Sequence, residues 1–234
     1  MNAHELFREG RLDEAITTLS AELRSNPTDA QRRTFLFELL CFSGNYERAE
    51  KQLDVLAQDT PDAGRGALLY RSAMHAEEMR QQMFRTGQLP SPTSAGSVSG
   101  TLNGGRFASL EDADPRIGPR LEMFAAGQYT WLPFEHVETV TIDPPTRARD
   151  LLWAPAVVRP GRGFEELELG EVLLPVMAPL TSEHADDAVK LGRVTEWQPL
   201  NSESAAPIGQ KLWLVDGEEF PFLEVRELAI DPAP

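Results

Sequence analysis

Residues 10–27, GRLDEAITTLSAELRSNP, and residues 44–61, GNYERAEKQLDVLAQDTP, are two copies of one pattern, and they decide the fold of the first part of the chain. Glycine, alanine, leucine and proline return 34 residues later in the same order, as the pairs Gly10 and Gly44, Ala15 and Ala49, Leu19 and Leu53, and Pro27 and Pro61. A fixed period of this length predicts repeated helix pairs that stack on one another and bury a shared core.

Each of these marker residues suits its place in a helix pair. A glycine between two helices takes the positive φ that lets the chain reverse. Alanine lets neighbouring helices approach closely, and the leucine four residues later lies on the same face. Proline ends each pair, because it lacks an amide donor and clashes with the preceding turn. Together the markers are typical of tetratricopeptide repeats, whose stacked helices leave a concave groove that binds other proteins.

Two repeats leave one end of the array uncovered, since arrays of this kind usually need about three units. Residues 66–85 follow helical spacing, and Gly87 then stops the pattern. Because this stretch lacks the repeat markers, it predicts a capping helix. The expected helical domain therefore spans residues 1–87.

The composition changes after the capping helix. Residues 88–105, QLPSPTSAGSVSGTLNGG, are rich in proline, serine and glycine, which is typical of a linker. The apolar runs that follow are short and rich in β-branched and aromatic residues, as strands are. They are residues 129–134, 137–142, 151–158, 171–177, 193–199 and 211–215. The sequence thus predicts an α+β fold, with tetratricopeptide-like helical repeats, a linker, and a small, mainly antiparallel β domain over residues 106–234.

Two helices and a hairpin are also expected within the second domain. Residues 119–126 and 185–191, each followed by a glycine, have the composition of short helices. Asp216 and Gly217 follow the last apolar run and form a strong hairpin signal. The alternating residues 222–228 are then expected to form the next strand.

The charge balance narrows the class of partner. The chain has 234 residues and a net charge of −15, of which residues 1–90 contribute −3 and residues 91–234 contribute −12. Nucleic acids and anionic membranes are bound by clustered positive charge, so neither is an expected partner. The one cysteine, Cys41, lies in an apolar run and is expected to be buried. Because no secretory signal or membrane span is visible, we expect a cytoplasmic protein.

Few residues offer chemistry. No catalytic or phosphate-binding motif is found in the sequence, and the four histidines lack metal-ligand spacing, so no catalytic residue, metal or cofactor is predicted. The carboxylates Glu111, Asp112 and Asp114, with Arg116 close by, form the densest polar group. They fit an acid–base or cation site, but a turn in which Asp114 caps a helix is the favoured interpretation.

A second group of candidates lies further along the chain. Arg149 and Asp150 place a charged pair just before the apolar run that contains Trp153. Together with Tyr129 and Trp131, this tryptophan predicts either a recognition surface or part of the core of the β domain.

Four blocks together resemble the ImpE (TagJ) family of type VI secretion accessory proteins: RTFLFELLCFSGNYERAEKQLDVL, DADPRIGPRLE, GQYTWLPF and PPTRARDLLWAPA. They contain all eight candidate residues of the second domain. The resemblance implies a non-enzymatic cytoplasmic adaptor that binds the sheath subunit TssB and, in some systems, the sheath-disassembling ATPase ClpV. Many family members look longer where this chain has its linker, which implies a shorter repeat groove here.

Two other functions are kept as hypotheses. A general tetratricopeptide scaffold or co-chaperone unrelated to secretion would present a clamp of cations to a terminal carboxylate, and the candidates are Arg32, Arg33, Arg48 and Lys51. An enzyme built on the β domain would use the carboxylates and arginines of the two candidate groups, Asp112, Asp114, Arg116 and Arg149.

Overall fold

A computed structural model of the chain describes residues 1–58, 60–91, 96–161 and 169–232. The first part contains five helices: α1 (Ala3–Arg8), α2 (Leu12–Ser25), α3 (Ala30–Phe42), α4 (Tyr46–Leu56) and α5 (Pro61–Thr86). Each helix packs against the next one along the chain. This is the stacking in chain order that the 34-residue period predicts.

Thirteen strands and one short helix follow in the described residues. The strands are β1 (Gly100–Leu102), β2 (Gly105–Phe107), β3 (Leu110–Asp112), β4 (Arg120–Ala125), β5 (Gln128–Pro133), β6 (Val137–Ile142), β7 (Trp153–Pro160), β8 (Glu171–Pro175), β9 (Glu196–Pro199), β10 (Ala205–Ile208), β11 (Leu212–Val215), β12 (Glu218–Pro221) and β13 (Glu227–Ile230). The helix α6 (Asp187–Lys190) lies between β8 and β9 and falls within the predicted helix 185–191.

The strands form antiparallel sheets. Eight of them make one sheet in the order β2-β1-β13-β6-β7-β8-β4-β5. A second sheet has the order β12-β11-β3, and β9 pairs with β10. The predicted fold class, helical repeats followed by a mainly antiparallel β part, is therefore confirmed.

The repeat markers take the positions that their chemistry suggests. Gly10 and Gly44 have φ values of 83° and 67°, in the left-handed region where the chain reverses between helices. Both marker alanines and both marker leucines are buried. Pro61 departs from the expectation: it is the first residue of α5, after the cap Thr60, where its missing amide costs nothing. The capping helix thus begins before residue 66, and Gly87 ends it with a φ of 69°.

The predicted helix at residues 119–126 is wrong, because this segment is strand β4. Its residues include good helix formers, but Arg120 to Phe124 are all buried, so there is no polar face for a surface helix. Ala126 and Gly127, with φ values of 49° and 76°, make a two-residue turn into β5. Burial between neighbouring strands overrides the local helix propensity here.

Two other boundaries differ from the prediction. The linker assigned to residues 88–105 contains strand β1 and the first residue of β2; residues 92–95 lie outside the described residues. The turn at Asp216 and Gly217 is a hairpin as predicted, but its second strand is β12. The expected strand 222–228 instead contains a short 3₁₀ turn and only the start of β13, because the chain passes there from one sheet to the other.

The helices and the sheets share one hydrophobic core. A continuous cluster of buried apolar residues runs from α1 to β13. Helix α5 packs against the edge strand β5, and the Phe84 ring lies 6.0 Å from that of Trp131. Helix α5 therefore serves both as the end of the repeat array and as the surface on which the sheet is packed.

Candidate functional site

A groove with a volume of about 510 Å³ follows the first helix of each helix pair. Helices α1, α3 and α5 form most of its walls, Leu53 and Leu56 of α4 add to them, and the segment before β7 closes one side. Its polar and aromatic lining residues include His4, Phe35, Glu38, Tyr70, Arg147 and Arg149. The first helices of stacked pairs line the concave face of such an array, so this groove is the candidate partner-binding site, and we call it the concave groove.

Aromatic side chains make the walls of the concave groove stiff and apolar. The His4 ring stacks on Phe35 at 4.1 Å. The Tyr70 ring lies 5.8 Å from that of Phe37 and 6.3 Å from that of Trp153. Aromatic side chains lose little conformational entropy on binding and carry much of the energy of protein interfaces.

Arg149 connects the β part to the concave groove. Its Nη1 donates to Oε1 of Glu38 at 3.1 Å, and its guanidinium lies 4.7 Å from the centre of the Tyr70 ring. Burial raises the pKa of Glu38, and the charge of Arg149 opposes that rise. The sequence marked Arg149 as a candidate, and the structure places it in the groove wall.

The two neighbouring candidates have supporting positions. The Asp150 carboxylate accepts the backbone amides of Thr146 and Arg147, both at 2.9 Å, and so fixes the segment that carries Arg149. Trp153 is buried, and its Nε1 donates to Glu77 at 3.3 Å. Asp150 and Trp153 thus hold the groove wall in place from behind.

A chain of buried charged groups joins α5 to the sheets. Arg80 donates from Nε and Nη2 to Glu122 at 2.8 and 3.1 Å, and from Nη1 to Glu77 at 3.1 Å. The Lys211 Nζ donates to the same Glu122 and also to Oδ2 of Asp112, which lies 2.5 Å away. All five side chains are at most 7 % exposed. We call this set, Glu77, Arg80, Asp112, Glu122 and Lys211, the buried charge network.

The buried charge network holds three carboxyl groups and two cations, so it is neutral only when one carboxyl is protonated. Although burial alone would raise the pKa of Glu122, Arg80 and Lys211 lower this pKa to about 2. Burial raises the pKa of Asp112 to about 7 against the field of Lys211. Asp112 accepts from Lys211 at 2.5 Å and from the Asp114 amide at 2.9 Å, and its raised pKa makes it the carboxyl that gains a proton as the pH falls below about 7.

The proton on Asp112 predicts a pH dependence of stability. The unfolded chain releases it near the ordinary aspartate pKa of about 4, so between about pH 4 and about pH 7 the folded state binds more protons and stability falls as pH rises. Asp112→Asn removes this titration and still accepts from Lys211. We expect the free energy of unfolding of the variant, relative to the unchanged protein, to increase from about pH 5 to about pH 7 in urea titrations. Parallel pH profiles would contradict the assignment.

The remaining sequence candidates are structural. Asp114 is buried and accepts from three donors of Arg116, the backbone amide, Nε and Nη2; no helix follows it, so the predicted helix cap is a turn instead. The Tyr129 hydroxyl donates to Glu122. Trp131 packs between Phe84 and the Arg120 guanidinium, which lies 4.2 Å from its ring centre. These residues belong to the packing between α5 and the sheet.

Several important residues were missed from the sequence. Glu122 and Lys211 come from distant segments, and nothing in the local pattern marks them. Arg80 had a usable signal: helical spacing puts it on the same side of α5 as Ala73, Ala76 and Phe84, all buried. A charged residue on a buried stripe predicts a buried ion pair.

Comparisons with known proteins identify relatives over the whole chain. The family described as ImpE protein matches residues 104–229, and a tetratricopeptide repeat family matches residues 6–72, which confirms the repeat prediction. A Pseudomonas aeruginosa protein named "Type VI secretion system accessory component TagJ" is 33% identical over 266 residues, covering 99% of this chain and 92% of that protein.

One solved structure shows the same fold. The crystal structure of protein VPA1032 from Vibrio parahaemolyticus matches with a TM-score of 0.86 at 24% identity, over 99% of this chain and 98% of the other. Within the described part of this chain, no helix is both long enough and apolar enough to cross a membrane.

Proposed function

Because this chain belongs to the ImpE protein family, we propose that it is a cytoplasmic accessory component of a bacterial type VI secretion system that acts by binding other proteins. The name of the Pseudomonas aeruginosa relative supports the system. The observation that carries the binding role is the concave groove, with its aromatic walls and its position on the first helices of the repeats.

The partners that we propose are the small sheath subunit TssB and the sheath-disassembling ATPase ClpV. An adaptor that holds one or both would help to recycle the contracted sheath. The groove volume of about 510 Å³ leaves room for side chains of a bound helix or extended peptide, whose apolar residues would pack against the Phe35 and Tyr70 rings. The sheet and its acidic surface are the alternative contact.

Binding of purified TssB and ClpV to the full chain tests this proposal. Gly66 lines the groove, and a Cβ built there meets no described atom within 4 Å, so Gly66→Gln fills the groove without disturbing the fold. We expect Gly66→Gln to weaken binding by about tenfold or more in calorimetric titrations. Gly64 lies on the same helix outside the groove lining, so Gly64→Gln is the matched control.

The outcomes separate the parts of the proposal. If neither TssB nor ClpV binds the unchanged chain, the proposed partners are wrong. If one of them binds, and both glycine variants bind it as tightly as the unchanged chain does, the contact lies on the β part instead of the groove. Equal losses in both variants would point to a general effect on α5, which thermal unfolding would reveal.

The competing hypotheses find less support. Arg32 and Lys51 are bonded to acidic neighbours, Arg33 to Gln52 and Arg48 to Ser20, and none of the four lines the groove as described. A clamp for a terminal carboxylate needs such cations to converge in the groove. The proposed enzyme residues are also separated, because Asp112 and Asp114 are buried whereas Arg149 lines the groove. We therefore propose binding without catalysis.

A further inference from the structure

The concave groove carries the opposite sign of charge from the protein as a whole. Arg147 and Arg149 line it, and Glu38 is its one acidic residue among the described lining residues, whereas the chain has a net charge of −15. Arg147 is exposed and takes part in no ion pair within the described part of the chain. An acidic group on a partner is therefore attracted to this groove and repelled by much of the remaining surface.

Arg149 is already oriented to bind such a group. Its side chain is 12 % exposed, its guanidinium carbon lies 4.7 Å from the centre of the Tyr70 ring, and Glu38 accepts a hydrogen bond from it. Its Nε has no hydrogen-bond partner among the described residues, although the atom is buried. A guanidinium has five N–H donors, so with Glu38 on Nη1 it can also bind a carboxylate of a ligand, which fits its fork.

A second cavity adjoins the groove at Tyr70 and Arg147. Its volume is about 290 Å³, and it lies on the side of the segment Asp143–Thr146. A segment bound in the groove therefore has space on both sides of Tyr70 and Arg147. This favours a carboxylate on a side chain within the segment over one at a chain terminus.

On the premise that the concave groove binds a segment of a partner protein, we propose that Arg149 binds the side-chain carboxylate of an Asp or Glu in that segment, and that apolar residues flank this carboxylate. The apolar residues pack on the aromatic walls and the carboxylate fixes the register. Arg149 is then the residue that determines specificity, and the premise does not depend on which protein supplies the segment.

A library of random peptides displayed on phage, selected on the full chain, provides the first test. We expect the enriched sequences to share one Asp or Glu between apolar residues. The library should lose enrichment on Gly66→Gln and keep it on Gly64→Gln, which locates the peptides in the groove. Enriched groove-binding sequences without a shared acidic residue would overturn the proposal.

The second test uses the best enriched peptide and its analogue with Gln in place of the acidic residue. We expect the analogue to bind the unchanged chain about tenfold more weakly. The double variant Glu38→Gln with Arg149→Gln removes the charges together and leaves no unpaired buried charge, so it should bind both peptides equally. An unchanged preference in a folded double variant would overturn the role of Arg149.

A variant that fails to fold leaves the proposal testable, because the two peptides can be compared on the unchanged chain, where equal affinity would overturn it. Arg149→Lys keeps the charge without the fork, and we expect it to retain part of the preference. Failure of TssB and ClpV to bind, together with an acidic peptide preference, would refute the proposed partners and leave the specificity of Arg149 standing.

Discussion

Arg80→Met is expected to lower the free energy of unfolding by about 3–5 kcal/mol, because it leaves buried carboxylates without their cation. Arg80 is fully buried, and it bonds to Glu77, to Glu122 and to the carbonyl of Met177. Methionine replaces the length of the side chain but none of its donors. Lys211 still faces Glu122, so the loss falls mainly on the α5 side of the network.

Urea unfolding measures this loss, and Arg85→Met is the matched control. Arg85 lies further along the same helix and pairs with Glu183 across the same boundary, but both side chains are about half exposed. Exposed ion pairs contribute about 0–1 kcal/mol, so this variant should stay close to the unchanged protein. Similar losses of unfolding free energy in both variants would show that the buried charge network stabilises the protein no more than an exposed ion pair does.

A fragment ending after Gly87 is expected to show no cooperative unfolding transition. It keeps the two repeats but loses every partner on the sheet side of α5. Glu77 would lose Trp153, Arg80 would lose Glu122, and Gln81 would lose the amide of Leu180. The fragment has only two repeats, and its last helix exposes apolar and charged side chains. Arrays of this kind usually need about three units to be stable.

Circular dichroism against temperature and a proton–nitrogen correlation spectrum test this expectation. The control is the full chain with a protease site inserted between residues 95 and 96. After cleavage, the two pieces should remain together in gel filtration, because the buried charge network and the shared core still connect them. A fragment 1–87 that melts sharply would establish the helical part as an independent domain.

Local patterns were sufficient for the first part of the chain. The glycines at helix reversals and the stop at Gly87 act within a few residues, and the repeat shows as a fixed period of 34 residues, so the sequence alone predicts them. The strand β4 was misassigned because its residues favour a helix locally, while its strand pairing and burial come from segments elsewhere in the chain. The site was predicted in part: Arg149 was named, but Glu38 and Tyr70 were not recognised as its neighbours.

The sequence by itself determined the repeat array, the family resemblance and the absence of a recognised catalytic motif, since each depends on residue types at short, fixed spacings. Only the tertiary structure decided that Lys211 meets Asp112 from 99 residues away, and that Arg149 reaches Glu38 from 111 residues away. Such pairs form because folding places distant segments side by side and a buried charge must find a partner there, which no local pattern encodes.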